Sequence, residues 1–154
     1  PYSRWAREGF IETPAGRTLN PQAVALEIAR LHGKHKITAL AFDRWRIEDL
    51  RRELDAIGSN IELVAWGQGF KDMSPAIDVL ERLAVEGKLR HGGNPVLTMC
   101  ALNAKTTADP AGNRKLDKLK STGRIDGLQA LTMALGLASR HETPTEWVPI
   151  FDVV

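Results

Sequence analysis

Cysteine is nearly missing from this sequence. Cys100 stands alone among 154 residues, which excludes an internal disulfide and a cysteine-built metal centre. Long apolar runs are missing too. No stretch approaches the 18 or so residues of a membrane helix, and Pro1 to Phe10 lacks the apolar core of a secretory signal. A cytoplasmic protein with no membrane partner is therefore expected. Neither sign of charge dominates: 21 Lys and Arg oppose 19 Asp and Glu, a formal net charge of +2. That balance makes no case for nucleic acid by itself, so the distribution of charge must make it. The phosphate loop Gly-x-x-x-x-Gly-Lys-Ser/Thr is absent, and Gly67-Gln68-Gly69 lacks the rest of a dinucleotide fingerprint. These residues are not expected to bind or hydrolyse ATP. No serine stands in a nucleophile-elbow context.

What is present is ordinary globular material, 43% hydrophobic and 26% charged, enough for one domain with a real core. Turn signals cut it into short elements. Asn20-Pro21 opens a helix whose Val24, Ile28 and Leu31 form one stripe, with Gly33 as its expected close. Ile37 to Phe42 reads as a buried strand. A second helix carries Ile47, Leu50, Leu54 and Ile57 on one face and stops at Gly58. Ile61 to Trp66 is a second strand. Ser74-Pro75 signals a helix to Gly87, and Asn94-Pro95 another through Asn103. Lys105 to Lys120 flanks the turn sequence Asp109-Pro110-Ala111-Gly112-Asn113, which predicts a hairpin or ordered loop. The last helix runs from about Ile125 to Ser139 with Leu128, Leu131 and Leu135 inward. Residues 143–154 read as a tail with Trp147, Val148, Ile150 and Phe151 available for docking. Strand, helix, strand, helix implies an α/β layer. Two strands make a poor sheet alone, so either the hairpin arms add strands or a missing part of the fold lies upstream.

Two acids stand where chemistry is easiest to build. Asp43 ends the strand Ala39-Leu40-Ala41-Phe42, the edge at which open α/β sheets place ligands. It would equally serve as the cap of a following helix. Asp126 falls in the first turn of the last helix, where the macrodipole also favours an acid. Together they offer oxygen donors to a hard divalent cation. Arg114, Lys115, Lys118, Lys120 and Arg124 place five cations just before Asp126, against Asp117 alone. Such a cluster suits a phosphate backbone, although it would also suit a solvated loop. Arg44, Arg46, Arg51 and Arg52 are interleaved with Glu48, Asp49 and Glu53 and suit pairing along a wet helix face. His32 and His35 lack a third ligand for zinc. Trp5, Trp45 and Trp66 could stack on bases, but aromatic residues more often pack a core.

The order of motifs resembles a known family. Tyr2-Ser3-Arg4-Trp5 with Gly9 comes first, then Ile37 to Trp45, then Gly67-Gln68-Gly69. Gly87-Lys88-Leu89-Arg90-His91-Gly92-Gly93-Asn94-Pro95-Val96-Leu97 follows, and Lys120-Ser121-Thr122-Gly123-Arg124-Ile125-Asp126-Gly127 ends the series. In this order they resemble the C-terminal nuclease half of phage terminase large subunits. The resemblance runs from about Tyr2 to Gly136, so residues 1–142 are taken as the nuclease domain. It implies an RNase H-like α/β fold, a mixed sheet flanked by helices. It implies cleavage of concatemeric double-stranded DNA during packaging, with Mg2+ or Mn2+, two ions in the intact domain. The terminase small subunit and the portal protein are the implied partners. Asp43 matches the acid closing the fold's fourth strand, Asp126 the acid on the helix that closes the site, and Lys120 the basic segment before it. The family's first acid lies on a first strand upstream of the Tyr-x-x-Trp segment. The sequence starts after that place, so the first strands are expected to be lacking here. The edge of Ile37 to Phe42 would then be open to a homo-oligomeric contact.

Two other readings remain open at this level. The chain could grip DNA without cutting it, through the basic run and the apolar tail. It could be another RNase H-like enzyme, a resolvase or transposase, against which the Gly-Gln-Gly and His-Gly-Gly-Asn-Pro elements speak only by resemblance.

Overall fold

The structure is a computed structural model and describes residues 1–141 apart from 15, 17, 45 and 46. Trp45, Arg46 and the apolar tail from Trp147 to Phe151 lie outside the described residues. A short helix, α1 (Tyr2–Arg7), comes first; no sequence signal announces it. Helix α2 (Pro21–His35) follows its expected start: Asn20 Oδ1 accepts from the Gln22 amide at 3.0 Å, and Pro21 takes the first helical position. Gly33 does not close it. The helix runs on to Lys36, whose left-handed backbone (φ 50°) makes the turn. Strand β1 (Ala39–Phe42) leads to α3 (Ile47–Ala56), and β2 (Glu62–Ala65) leads to α4 (Phe70–Val85).

Helix α4 starts earlier than its Ser-Pro signal. Extended Gly69 precedes it, and its carbonyl accepts from Met73. Pro75 sits inside the helix on an exposed face, where a missing amide bond opens to water. Ser74 serves the hairpin instead, its hydroxyl accepting the Arg114 amide at 3.1 Å. Helix α5 (Pro95–Asn103) begins where predicted, with Asn94 Oδ1 accepting from Val96 and Leu97. The hairpin β3 (Thr106–Ala108) and β4 (Arg114–Leu116) follows, then α6 (Asp126–His141).

The strands form two small sheets instead of one. β1 and β2 pair in parallel, with Ala39 opposite Glu62 and Phe42 opposite Ala65. β3 and β4 pair antiparallel and do not join them; β4 packs on α4. Among the described residues β1 has no partner on its second edge. Every residue of β1 is accordingly half-buried, where the apolar run predicts full burial.

Alternation along the parallel pair splits the core in two. Leu40 and Leu63, together with Ile37 from the segment before β1, pack toward Ala25 of α2 and Leu54 of α3. Ala39, Ala41 and Val64 pack toward Trp66, Met73, Ala76, Met133 and Leu137, between α4 and α6. The stripe that α6 buries is Gln129, Thr132, Met133, Gly136 and Leu137, while Leu128, Leu131 and Leu135 are less deeply placed. Among the described residues no helix is long and apolar enough to cross a membrane.

Candidate functional site

Parallel pairing decides where the chemistry can gather. Because β1 and β2 run in the same direction, both chains leave the sheet at the same edge. Trp66 extends the ladder by one bond, its amide donating to the Phe42 carbonyl at 2.8 Å. Asp43 follows Phe42, and Gln68 lies two residues beyond Trp66. Their side chains meet: Gln68 Nε2 donates to Asp43 Oδ2 at 2.7 Å. Among the described residues, no amide of α3 donates to Asp43. The carboxylate is held by Gln68 and lines the cleft described below.

Asp126 reaches the same place from another direction. Asn103, at the end of α5, fixes the segment before it. Its carbonyl accepts from the Thr122 amide and its Nδ2 donates to the Arg124 carbonyl, both at 3.1 Å. Ile125 is then driven into the core, 1% exposed. Gly127 lets α6 approach α5, since a Cβ there would stand 3.3 Å from Cys100 Sγ. Asp126 is thus left at the first position of α6 with its side chain 62% exposed. It makes an ion pair with Lys118 Nζ at 3.2 Å.

Asp43, Gln68, Lys118 and Asp126 all line one cleft of about 660 Å³. The open edge of β1 forms one wall, and the α6 residues Gln129, Ala130, Met133 and Leu137 form the other. The cleft is mostly apolar, and its charged lining is Asp43, Lys118 and Asp126. That donor set suits a hard cation: two carboxylates with an amide behind one of them, and no thiolate or imidazole. Among the described residues no group of three acids, histidines or cysteines could hold a metal together. Water or phosphate oxygens would complete the shell, as they commonly do for magnesium. His32 and His35 belong to α2, before β1 begins, at the other end of that strand from Asp43.

The basic run is divided among several roles. Arg114 Nη2 binds both Asp78 and Glu81, at 2.7 and 2.8 Å, clamping the hairpin to α4. Its hydrogen bonds to Glu81 first and Asp78 second raise its proton affinity above the ordinary arginine value, outweighing desolvation. Lys115 lies over the Phe70 ring, 4.9 Å from its centroid. Lys120 Nζ donates to Thr107 Oγ1 at 3.0 Å and stands near Asp117. Arg124 is exposed and makes no ion pair among the described residues. Of the five, Lys118 alone lines the cleft. Trp66 is a core residue, 1% exposed, with the Arg140 guanidinium 3.9 Å from its ring centroid. Trp5 is half-buried and meets Tyr2 edge to face.

Gln68 is the site residue that composition and periodicity miss. The Gly67-Gln68-Gly69 turn gives a signal, but its glycines draw the attention and not the amide between them. A Cβ on Gly67 would lie 2.3 Å from Asp72 Oδ2, so a side chain there would have to displace that carboxylate.

Residues 2–142 match the family described as the terminase large subunit, endonuclease domain. The chain is 52% identical over 143 residues to the terminase large subunit of Enterobacteria phage HK97, covering 93% of this chain and 28% of that protein. The chain therefore spans little more than a quarter of that relative. The crystal structure of the HK97 bacteriophage large terminase superposes with a TM-score of 0.83 at 53% identity, over 89% of this chain and 29% of that one. The large terminase nuclease of the thermophilic phage G20c, in a crystal structure with bound cobalt, gives a TM-score of 0.57 at 18% identity, over 76% of this chain and 62% of that one. This second likeness concerns the fold alone. With small sheets flanked by helices in common with both, and a family match along nearly its whole length, the chain belongs to the endonuclease domain of the phage terminase large subunits.

Proposed function

We propose that this domain is an RNase H-like, metal-dependent DNA endonuclease. It would hydrolyse phosphodiester bonds of concatemeric double-stranded DNA during packaging. The observation that carries the reading is the shared cleft. Two carboxylates from distant parts of the sequence line it, one of them paired with a lysine. The cobalt held by the G20c nuclease supports a divalent ion here by analogy.

Asp43 and Asp126 would hold Mg2+ or Mn2+. When bound, such an ion lowers the pKa of water and offsets charge on the phosphate. The protein's own part is positional. Gln68 holds one oxygen of Asp43 in place, leaving the other available to the cleft. Asn103 and Ile125 fix the backbone that presents Asp126. Lys118, Lys120 and Arg124 would attract the DNA backbone, with Lys115 beside them. Arg114, already clamped by two acids, would chiefly keep the hairpin that carries them seated on α4. The small subunit and portal protein are proposed as partners of the assembled motor, which extends beyond this domain.

The test is plasmid cleavage in Mn2+ by the large subunit carrying this domain. Asp43→Ala and Asp126→Ala should each lower the rate by roughly 10²–10³-fold, the usual effect of removing a preorganised electrostatic group. Unchanged cleavage in either variant would remove that residue from the site. DNA binding that weakens with salt, ignores metal and accompanies no cleavage would favour a purely gripping module. Because the open edge of β1 is also a wall of the cleft, it is further proposed to pair with a second copy only while DNA is absent. Sedimentation velocity should then show a dimer at high concentration, and a monomer throughout would exclude it.

A further inference from the structure

We infer that Lys118 is a resident counter-ion of the metal site, competing with the divalent cation for Asp126 and passing to the DNA phosphate when the cation enters. This rests on the reading of Asp43 and Asp126 as metal ligands. Lys118 Nζ stands 3.2 Å from Asp126 Oδ1, and both side chains line the cleft that Asp43 also lines. An ammonium on a carboxylate oxygen occupies one of the positions from which that oxygen could bind a metal ion.

The segment carrying Lys118 is built to hold its backbone and leave its side chain free. Asp117 Oδ1 accepts from the amides of Leu119 and Lys120, at 2.9 and 3.1 Å. The Asp117 amide donates to the Lys105 carbonyl at 2.8 Å, and Ser121 Oγ donates to the Asp117 carbonyl at 2.6 Å. The turn is therefore tied to the hairpin on both sides. The Lys118 side chain is 54% exposed, and Asp126 is its single ion-pair partner among the described residues. It can leave that partner without disturbing the turn.

Charge counting gives the direction of the exchange. Two carboxylates and one ammonium leave the cleft lining with one net negative charge. A divalent cation then brings it to one net positive charge, with Lys118 still present. Lys118 is repelled by the ion and has lost its partner's excess charge, while a phosphodiester supplies the one negative charge required. Metal entry should thus strengthen DNA binding, and by linkage DNA should strengthen metal binding equally.

The experiment is a calorimetric Mn2+ titration of the protein without DNA. Removing the competitor in K118M should tighten Mn2+ binding by roughly two- to five-fold, the range expected for an exposed ion pair. K118R keeps the charge and should stay near the parent value. In a second measurement with a short duplex, K118M should bind DNA more weakly and lose about one from the salt slope. D126N supplies the control arm. If D126N binds Mn2+ as well as the parent, Asp126 is not a ligand and the underlying reading fails. If D126N loses Mn2+ while K118M binds it no more tightly than the parent, the competition is overturned and the metal site stands.

Discussion

The two faces of the parallel pair are built differently, and the difference locates the candidate site. Toward α2 and α3 the strands present Leu40 and Leu63, with Ile37 from the segment before β1, large branched side chains closing over Leu54 and Ala25. Toward α4 and α6 they present Ala39, Ala41 and Val64, and the bulk comes from elsewhere, chiefly Trp66, Met73 and Met133. The first face is a plain interior that fixes the sheet. The second brings a helix close to the strands and leaves a cleft beside it, with both acids in its lining. Asp43, Gln68, Lys118 and Asp126 all belong to this second side. The candidate site is thus carried chiefly by one face of the two strands, with Leu40 of the other also reaching the cleft.

That division can be tested first where the effect is largest. Leu54 is 2% exposed and central to the α2–α3 face. Leu54→Ala should cost about 2–5 kcal/mol in chemical denaturation, the usual sum of lost transfer energy and residual cavity. Below the melting transition, Mn2+ affinity at the cleft should stay within about two-fold of the parent, because no site residue packs on that face. A large loss of metal affinity in the folded variant would mean that the two faces act as one unit.

Much of this arrangement is legible in the residues, for reasons that can be named. Asn20-Pro21 and Asn94-Pro95 each combine a capping side chain with a proline where its missing amide costs nothing, and both helices start there. The Asp109 to Asn113 turn is closed by its own side chains, Asp109 accepting from the Asn113 amide and amide side chain. Signals of this kind are local, so sequence carries them. Sequence fails where tertiary contact decides. Ser74-Pro75 looks like a helix start, but Ser74 docks the hairpin and the buried Met73, Ala76 and Ile77 carry the helix past Pro75. The leucines of α6 look inward, but the helix turns Met133, Gly136 and Leu137 to the core because Trp66 needs the space above a glycine. The hairpin looks ready to extend the sheet, but its Arg114 is claimed by Asp78 and Glu81 on α4. For the site, Asp43 and Asp126 stand out as strand-end and helix-start acids. Their meeting with Gln68 and Lys118 depends on a parallel register and a turn, neither of which periodicity reveals.

A smaller expected effect sharpens the comparison from the other face. A Cβ on Gly136 would stand 2.5 Å from Trp66 Cζ2 and 2.7 Å from the Ala76 Cβ. Neither neighbour can yield easily. Trp66 is covered from another side by Arg140, which Asp72 holds at 2.7 Å, and Ala76 is part of α4 itself. The extra methyl must push α6 away from α4, so Gly136→Ala should destabilise by about 1–3 kcal/mol despite alanine's better helix propensity. Helix α6 also carries Asp126, so its displacement should weaken Mn2+ binding in the folded variant, which Leu54→Ala leaves alone. Adding Ala76→Gly removes one of the two clashes and should return part of the affinity, although the second glycine weakens α4. A Gly136→Ala variant with parent-like Mn2+ affinity would show that α6 can shift without moving its first residue. The cleft would then owe its geometry to the Asn103 and Ile125 anchors alone.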